Sequence, residues 1–358
     1  MKIAINTGGG DAPGLNAAIK AATIAALRKG WEVVGIQNGY GSIYTDTPFL
    51  PLTEESVYGI AMKGGTILGA ANRSNPFEMA YQIKDGTWDT EDRSDVIVNT
   101  FREHNIDALV AIGGDGSMFI ANKLVKKGID VVGVPKTIDN DIVGCDVTLG
   151  FDTAVSIATE AIDRIRTTAK SHQRIMVVEV MGRYAGWIAL HAGLSTSSDV
   201  VLIPEIPFSL DAITRKINEI EDTGKKYAIV VVAEGAKEKG GELFVRSKKP
   251  GQAEVLGGIG EHLEKALARK TGKEARSLVL GHLQRGGTPS TYDRLISLRF
   301  GAAAIRAIDQ GDMNKLVVLR ENSIRRIPIS EVAGKVKNVP LESDTILTAT
   351  DIGINLGK

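Results

Sequence analysis

The sequence predicts an α/β protein of two doubly wound lobes with mostly parallel sheets, and three observations carry that prediction. Short apolar runs recur along the chain, and each empties into a glycine-bearing turn followed by a stretch of helical period. The 40 glycines exceed the average share of about 7% and sit in tight groups at those turns. The chain has 358 residues, more than the roughly 250–300 that one hydrophobic core usually organises, so a division into two lobes is expected.

The first unit of the pattern is a strand at Ile3–Asn6, a turn Thr7-Gly8-Gly9-Gly10-Asp11-Ala12-Pro13-Gly14, a helix over Leu15–Arg28 and a strand over Trp31–Ile36. Strand, glycine loop, helix, strand is the opening of a Rossmann-like sheet. Such a loop is either a tight turn or a cradle of N–H groups at a helix N-terminus, which suits an anion such as phosphate. It is not the dinucleotide loop, because its glycines do not fit G-x-G-x-x-G and Gln37, not an acid, follows the second strand. It is not a Walker A loop either, because no Gly-Lys-Ser/Thr follows.

A second glycine cluster, Met62-Lys63-Gly64-Gly65-Thr66-Ile67-Leu68-Gly69, precedes Asn72-Arg73-Ser74-Asn75-Pro76, and the polar residues 84–95 are expected to form a surface loop. The pattern then repeats: a strand over Ile106–Ile112, the turn Gly113-Gly114-Asp115-Gly116-Ser117, and a helix over Met118–Lys127. At such a turn Asp115 either caps the helix or holds Mg²⁺ while flanking amides bind phosphate oxygens. The apolar run from Ile129 to Val134, broken by Asp130, stops at Pro135. Lys136-Thr137-Ile138-Asp139-Asn140-Asp141 follows at once. Two carboxylates one residue apart repel, so they suit a hydroxyl proton, a metal or both better than they suit folding, although an Asx turn is the plainer reading.

In the second half a helix is predicted over Thr153–Thr168, and Arg174 leads into a strand over Ile175–Val180 that empties into Met181-Gly182-Arg183-Tyr184-Ala185-Gly186. Strands at Val200–Ile203 and Ala228–Val232 follow, the latter ending at Ala233-Glu234-Gly235. Lys237–Gln252 reads as a solvated hairpin or loop. A helix over Ile259–Lys270, a strand over Ser277–Leu280, the turn Gly281-His282-Leu283-Gln284-Arg285-Gly286-Gly287, a helix over Arg294–Ala307 and a strand over Leu316–Leu319 complete the series. Beyond Asn322 no chemistry is legible. Ligands of open α/β sheets lie at the carboxyl ends of strands. Arg174, Arg183, Arg276 and Arg285 are therefore expected to converge on a phosphate dianion, with Glu234 and His282 on sugar hydroxyls; any one of these arginines alone reads as a surface ion pair.

Lysine plus arginine equals aspartate plus glutamate, 43 against 43, so no net field favours a nucleic acid or an anionic membrane. Cys145 is the single cysteine, which excludes an intramolecular disulfide and a cysteine metal site. No apolar run approaches the roughly 18 residues of a membrane span, and the N-terminal apolar stretch is too short for a signal peptide. A cytoplasmic protein is expected.

Taken together these blocks resemble the 6-phosphofructokinases. The blocks are Gly9 to Ala18, Gly113 to Ser117, Pro135 to Asp141, Ser171-His172-Gln173-Arg174, Met181 to Tyr184 and Gly281 to Gly287, in the family's order over roughly residues 1–310. NAD and lipid kinases share the Gly-Gly-Asp-Gly turn but not the Thr-Ile-Asp-Asn-Asp or Met-Gly-Arg blocks. The resemblance implies a phosphofructokinase-type fold and phosphorylation of fructose 6-phosphate on its 1-hydroxyl by MgATP, the committed step of glycolysis. The same reaction with pyrophosphate is the alternative, and a non-catalytic sugar-phosphate or nucleotide-binding regulator the more distant one.

On that pattern Asp139 is the general base, Arg183 stabilises the transferring phosphoryl group, Lys136 serves the donor, and Asp115 holds Mg²⁺ with Asp141 nearby. Gly10, Tyr40, Arg73, Gly114, Asp115, Gly116 and Ser117 form the donor site. Thr137, Asp139, Asp141, Met181, Gly182, Arg183, Glu234, His282 and Arg285 bind the sugar phosphate. Arg174 and Arg276 reach in from a neighbouring subunit, which implies a homo-oligomer, usually a tetramer. The donor-binding lobe is expected at 1–150 plus about 284–334, and the sugar-phosphate lobe at 151–283 plus about 335–358.

Two positions separate donors in the family, and here they disagree. Gly116 is ATP-like, since pyrophosphate enzymes usually carry an aspartate there, whereas Lys136 is pyrophosphate-like. The missing side chain at 116 outweighs a flexible lysine, so ATP is the expected donor. The run from Gly69 to Arg73 is one residue longer than usual, leaving Asn72 as the other candidate for the donor-site position. Ile24 and Thr223 stand where the nucleotide effector site of bacterial ATP enzymes carries basic residues, so little activation by ADP is expected.

Overall fold

The computed structural model describes residues 1–71, 75–83, 87–247 and 254–358. The chain separates into two compact units, Met1–Asp152 with Arg285–Val336, and Thr153–Lys248 with Glu254–Gln284 and Lys337–Lys358. The elements in chain order are β1 (Lys2–Thr7), α1 (Leu15–Leu27), β2 (Glu32–Ile36), β3 (Leu50–Pro51), β4 (Met79–Gln82), β5 (Trp88–Glu91), α2 (Ser94–Glu103), β6 (Ala108–Gly113), α3 (Asp115–Lys126) and β7 (Val131–Pro135). They continue with α4 (Phe151–His172), β8 (Ile175–Val180), α5 (Trp187–Ser195), β9 (Val200–Leu202), α6 (Leu210–Asp222), β10 (Ala228–Ala233), β11 (Val245–Ser247), β12 (Val255–Leu256), α7 (Ile259–Thr271), β13 (Ala275–Val279), α8 (Thr291–Asp309), β14 (Lys315–Arg320), β15 (Ser323–Pro328) and α9 (Asp344–Asp351).

In the first unit the described residues form a sheet of order β15-β14-β7-β6-β1-β2-β3, with β14, β7, β6, β1 and β2 parallel to their neighbours and β15 and β3 antiparallel at the edges. All six residues of β6 and all five of β7 are buried, the pattern of strands covered on both faces. Each fully buried Val or Ile there contributes about 1.5–3 kcal/mol. The chain runs from β1 to β2 on one side and places β6 on the other side of β1. The connections leaving the adjacent carboxyl ends of β1 and β6 therefore run to opposite sides, a topological switch point where such sheets open a crevice.

The second unit carries a parallel sheet of order β13-β8-β10-β9. Its core joins Ile175 and Val177 of β8, Val230 and Val232 of β10, Ile213 and Ile217 of α6 and Leu263 and Leu267 of α7. The apolar period of α6 and α7 faces the sheet, and the intervening charges face water.

The structure corrects several boundaries and one assignment. Residues 84–95 are not simply a loop: among the described ones, β4 pairs with β5 as an antiparallel hairpin and α2 starts at Ser94. The polarity that suggested a loop reflects a wholly exposed strand. β11 and β12 also pair antiparallel, with a bulge, within and beyond the segment read as hairpin or loop. The C-terminal stretch contains β15 and α9, and β14 carries β15 along its full length. No helix among the described residues is long and apolar enough to cross a membrane.

Candidate active-site residues

At the switch point of the first unit the glycines are required by packing. The Gly8 N–H donates to the Ile112 carbonyl at 2.9 Å, which brings the tips of β1 and β6 together. A Cβ on Gly8 would stand 2.5 Å from the Ser117 hydroxyl, and one on Gly113 would overlap the same side chain. Ser117 thus fills the wedge between two bare backbones. Asp115 is the first residue of α3 and half-buried, so its carboxylate sits where the helix dipole favours an anion or a polarised ligand. Gly116 is exposed, and nothing lies within 4 Å of where its Cβ would be.

Lys136 follows β7 and is 3% exposed. Its Nζ donates to the carbonyls of Gly8 at 2.7 Å and Gly10 at 2.5 Å. Burial pulls its pKa down to about 7, and the Arg285 guanidinium pushes it the same way, while Asp11, Asp139 and Asp115 oppose them. Arg285 donates from Nη1 to the Asp11 carbonyl at 2.9 Å and lies 2.7 Å from where a Gly10 Cβ would stand. The loop between β1 and α1 is therefore held by two cations through its carbonyls.

The segment after Lys136 is pinned by its neighbours. Thr137 Oγ1 accepts the Asp139 N–H at 3.1 Å, and the Thr148 hydroxyl donates to the Thr137 carbonyl at 2.7 Å. Asn140 adopts φ of 52°, a left-handed conformation that asparagine tolerates better than most residues. Its side chain accepts the Thr148 N–H at 3.0 Å and donates to the Asp146 carbonyl at 3.2 Å. Asp139 and Asp141 are 4% and 7% exposed, so the turn presents two buried carboxylates on a rigid support. Tyr40, expected in the donor site, is also buried, and its hydroxyl is hydrogen-bonded to Asn6; burial raises its pKa.

In the second unit the carboxyl ends of β8, β10 and β13 carry Met181-Gly182-Arg183, Glu234-Gly235 and Gly281-His282. Adjacent strands bring the first two together, the Glu234 N–H donating to the Val180 carbonyl at 2.9 Å. Arg183 has φ of 50°, and its N–H donates to Glu234 Oε1 at 3.2 Å. Its guanidinium lies 5.4 Å from the centre of the Tyr184 ring. His282 is exposed.

One expected convergence is not made within a single chain. Arg174 precedes β8 and Arg276 is the second residue of β13, so both stand at the amino edge of a sheet whose carboxyl edge holds Arg183 and Glu234. At about 3.3 Å per residue the two edges are roughly 20 Å apart. Parallel strands all point one way, so within one chain the residues that start them cannot share a phosphate with the residues that end them. Arg174 and Arg276 instead flank Glu274, at 2.6 Å and 2.5 Å, and this holds the Glu274 carboxyl below its usual pKa.

Arg73 and the alternative Asn72 lie outside the described residues. Among those described, no group of three or more His, Cys, Asp or Glu side chains could cage a metal. Asp115, half-buried as the first residue of α3, offers a single carboxylate, and Mg²⁺ commonly binds through one or two carboxylates and completes its shell with substrate phosphates and water.

Several supporting residues escaped the sequence reading. Asn16, 2% exposed within the alanine-rich α1, donates to the carbonyls of Lys63 and Gly64 and accepts the Ile67 N–H, fixing the second glycine cluster. An asparagine on the buried side of so apolar a helix was the available signal. Glu179, buried in β8, accepts the N–H groups of Gly258 and Gly260 at the start of α7, and Glu205 accepts those of Gly186 and Val339. Nothing local in the sequence pairs residues so far apart.

The phosphofructokinase family model matches residues 2–308. An ATP-dependent 6-phosphofructokinase 2 of Clostridium perfringens is 47% identical over 358 residues, covering 99% of this chain and 98% of that one. A pyrophosphate--fructose 6-phosphate 1-phosphotransferase of Amycolatopsis methanolica is 47% identical over 347 residues, covering 96% and 97%. The crystal structure of Pichia pastoris phosphofructokinase in the T-state superposes with a TM-score of 0.79 at 31% identity, over 98% of this chain. This chain spans only 36% of that longer one.

Proposed function

The chain belongs to the phosphofructokinase family, and we propose that it transfers the terminal phosphoryl group of MgATP to the 1-hydroxyl of fructose 6-phosphate, giving fructose 1,6-bisphosphate and ADP. The substrate oxygen forms its bond to the terminal phosphorus as the bond to the ADP oxygen breaks. The hydroxyl proton passes to Asp139, whose carboxylate suits a loose transition state that needs positioning and a late proton acceptor. Arg183 neutralises charge on the transferring group. Thr137, Asp141, Met181, Gly182, Glu234, His282 and Arg285 serve the sugar phosphate, and Gly10, Tyr40, Arg73, Gly114, Gly116 and Ser117 serve the donor. Asp115 would hold the Mg²⁺ that comes with the nucleotide, which screens the donor's phosphate charge. The first unit thus supplies the donor residues, and the second supplies Met181, Gly182, Arg183, Glu234 and His282 for the sugar phosphate.

Overall identity does not discriminate between donors, since the two relatives above are equally similar and their names differ in donor. The observation that carries ATP is Gly116: the space where an aspartate would stand is open, and nothing there crowds or repels the inner phosphates of a nucleotide. Pyrophosphate is the second reading, favoured by Lys136. A non-catalytic regulator is disfavoured because Asp115 and Asp139 are both retained in place.

Arg174, half-buried, and Arg276, exposed, stand beside Glu274 at the amino edge and support a homo-oligomer, usually a tetramer in this family, in which they serve a neighbouring copy. The protein acts in the cytoplasm on small molecules. Purified protein assayed with fructose 6-phosphate and Mg²⁺ is expected to turn over with ATP at least tenfold faster than with pyrophosphate. Turnover with pyrophosphate alone overturns the donor, and turnover with neither overturns the enzyme.

A further inference from the structure

The lysine that marks pyrophosphate enzymes is spent here on the protein's own backbone. Lys136 Nζ lies against the carbonyls of Gly8 and Gly10, and Arg285 Nη1 against that of Asp11, so carbonyls of the loop between β1 and α1 are turned towards two cations. Among the described residues every peptide bond is trans. In a trans peptide the N–H points opposite to the C=O of the same unit. Fixing the carbonyls of Gly10 and Asp11 therefore fixes the N–H groups of Asp11 and Ala12 away from the cations.

Three details make this a built arrangement. Lys136 is almost fully buried, so its ammonium is not a solvated charge that swings between partners. Gly9, between the two carbonyls that Lys136 meets, has φ of 75°, in the left-handed region that favours glycine. The position of a Gly10 side chain is filled by the Arg285 guanidinium, so the loop cannot retain both a Cβ there and its second cation in place.

We infer that Lys136 is a positioning residue that orients the Gly8–Asp11 loop for the phosphates of whichever donor binds, and does not itself select pyrophosphate. This rests on the family reaction but not on the choice of ATP. It explains how a lysine of the pyrophosphate type coexists with an ATP-type Gly116. The two residues act on different things, one on the loop's backbone and the other on the room beside it.

The test is a set of substitutions at this position read with both donors. Lys136→Met keeps the length and removes the N–H donors. It is expected to raise KM at least tenfold for MgATP and for pyrophosphate alike, whichever of them the wild type prefers, and to leave KM for fructose 6-phosphate within about twofold. In Lys136→Ala, added propylammonium is expected to restore the donor KM, whereas tetramethylammonium, which carries charge but no N–H, is not. Should Lys136→Met fail to fold, Lys136→Gln is measured instead; because it keeps one N–H donor, KM is expected to rise less than tenfold, and by the same factor for both donors, while unequal factors overturn the inference. A defect confined to pyrophosphate, or equal rescue by tetramethylammonium, overturns the inference. A wild type that uses only pyrophosphate overturns the ATP reading, while the inference is still judged by rescue of the pyrophosphate KM.

Discussion

Glu234 Oε1 accepts the backbone N–H of Arg183 at 3.2 Å, and this bond secures a residue held at φ of 50°. A left-handed arginine costs about 1–2 kcal/mol against ordinary backbone, so something must over-determine it. Gly235 is the second constraint, because any Cβ there would overlap the Arg183 carbonyl oxygen. The arginine proposed to stabilise the transferring group is thus aimed by the strand next to its own. A hydrogen bond to a charged acceptor contributes about 1.5–3 kcal/mol, or roughly 10- to 150-fold. Steady-state kinetics should show Glu234→Ala losing kcat/KM for fructose 6-phosphate within that range. Glu234→Gln, which keeps an acceptor for the N–H, should lose clearly less; equal losses would mean that the carboxylate acts only on substrate.

Gly116→Asp should leave the fold intact. The position is open, it lies in the first turn of α3, and an acid there gains about 0.3–1 kcal/mol from the helix dipole. Its thermal midpoint is expected to match or slightly exceed the wild type. Its kcat/KM with MgATP is expected to fall at least tenfold, while that with pyrophosphate holds or rises. Parallel loss with both donors would count against the role given to this position.

Asp139→Asn removes the proton acceptor while nearly preserving shape. General-base contributions of about 10²- to 10⁴-fold set the expected fall in kcat, with KM for fructose 6-phosphate changing by less than about threefold. A kcat within fivefold of wild type would remove Asp139 from the chemistry.

Lys136 gives stability a defined pH dependence. Its pKa is about 7 in the folded protein against 10.5 for an ordinary lysine. Between those values the unfolded chain binds the extra proton, so stability rises with pH; below about 7 both states are protonated and the full cost of the buried charge is felt. Urea titrations at pH 7 and pH 9 should show the wild type gaining about 2 kcal/mol relative to Lys136→Met over that interval. A constant difference would show that the amine is already ordinary in the folded state.

The sequence by itself determined the fold class and most of the residues at strand ends. Apolar runs ending in glycine read the same whether or not the fold is known, because burial on both faces of a parallel sheet demands an unbroken hydrophobic strand. The turn after β7 was legible as a candidate site because two carboxylates one residue apart repel each other, which folding alone does not require. The exposed hairpin of β4 and β5 was not legible, since strands without a buried face leave no hydrophobic alternation to read.

Only the tertiary structure decided which of these residues meet. The residues alone let four arginines converge, but strand direction places Arg174 and Arg276 at the opposite edge from Arg183 within one chain, because in a parallel sheet chain position within a strand fixes the edge. The partners of Lys136, Glu234 and Asn16 are 126, 51 and 47 or more residues away in the chain, and no local spacing encodes such pairs. Residue type states what chemistry a side chain can do. Whether Lys136 spends its N–H groups on a donor or on the Gly8 and Gly10 carbonyls is settled by what the fold packs around it.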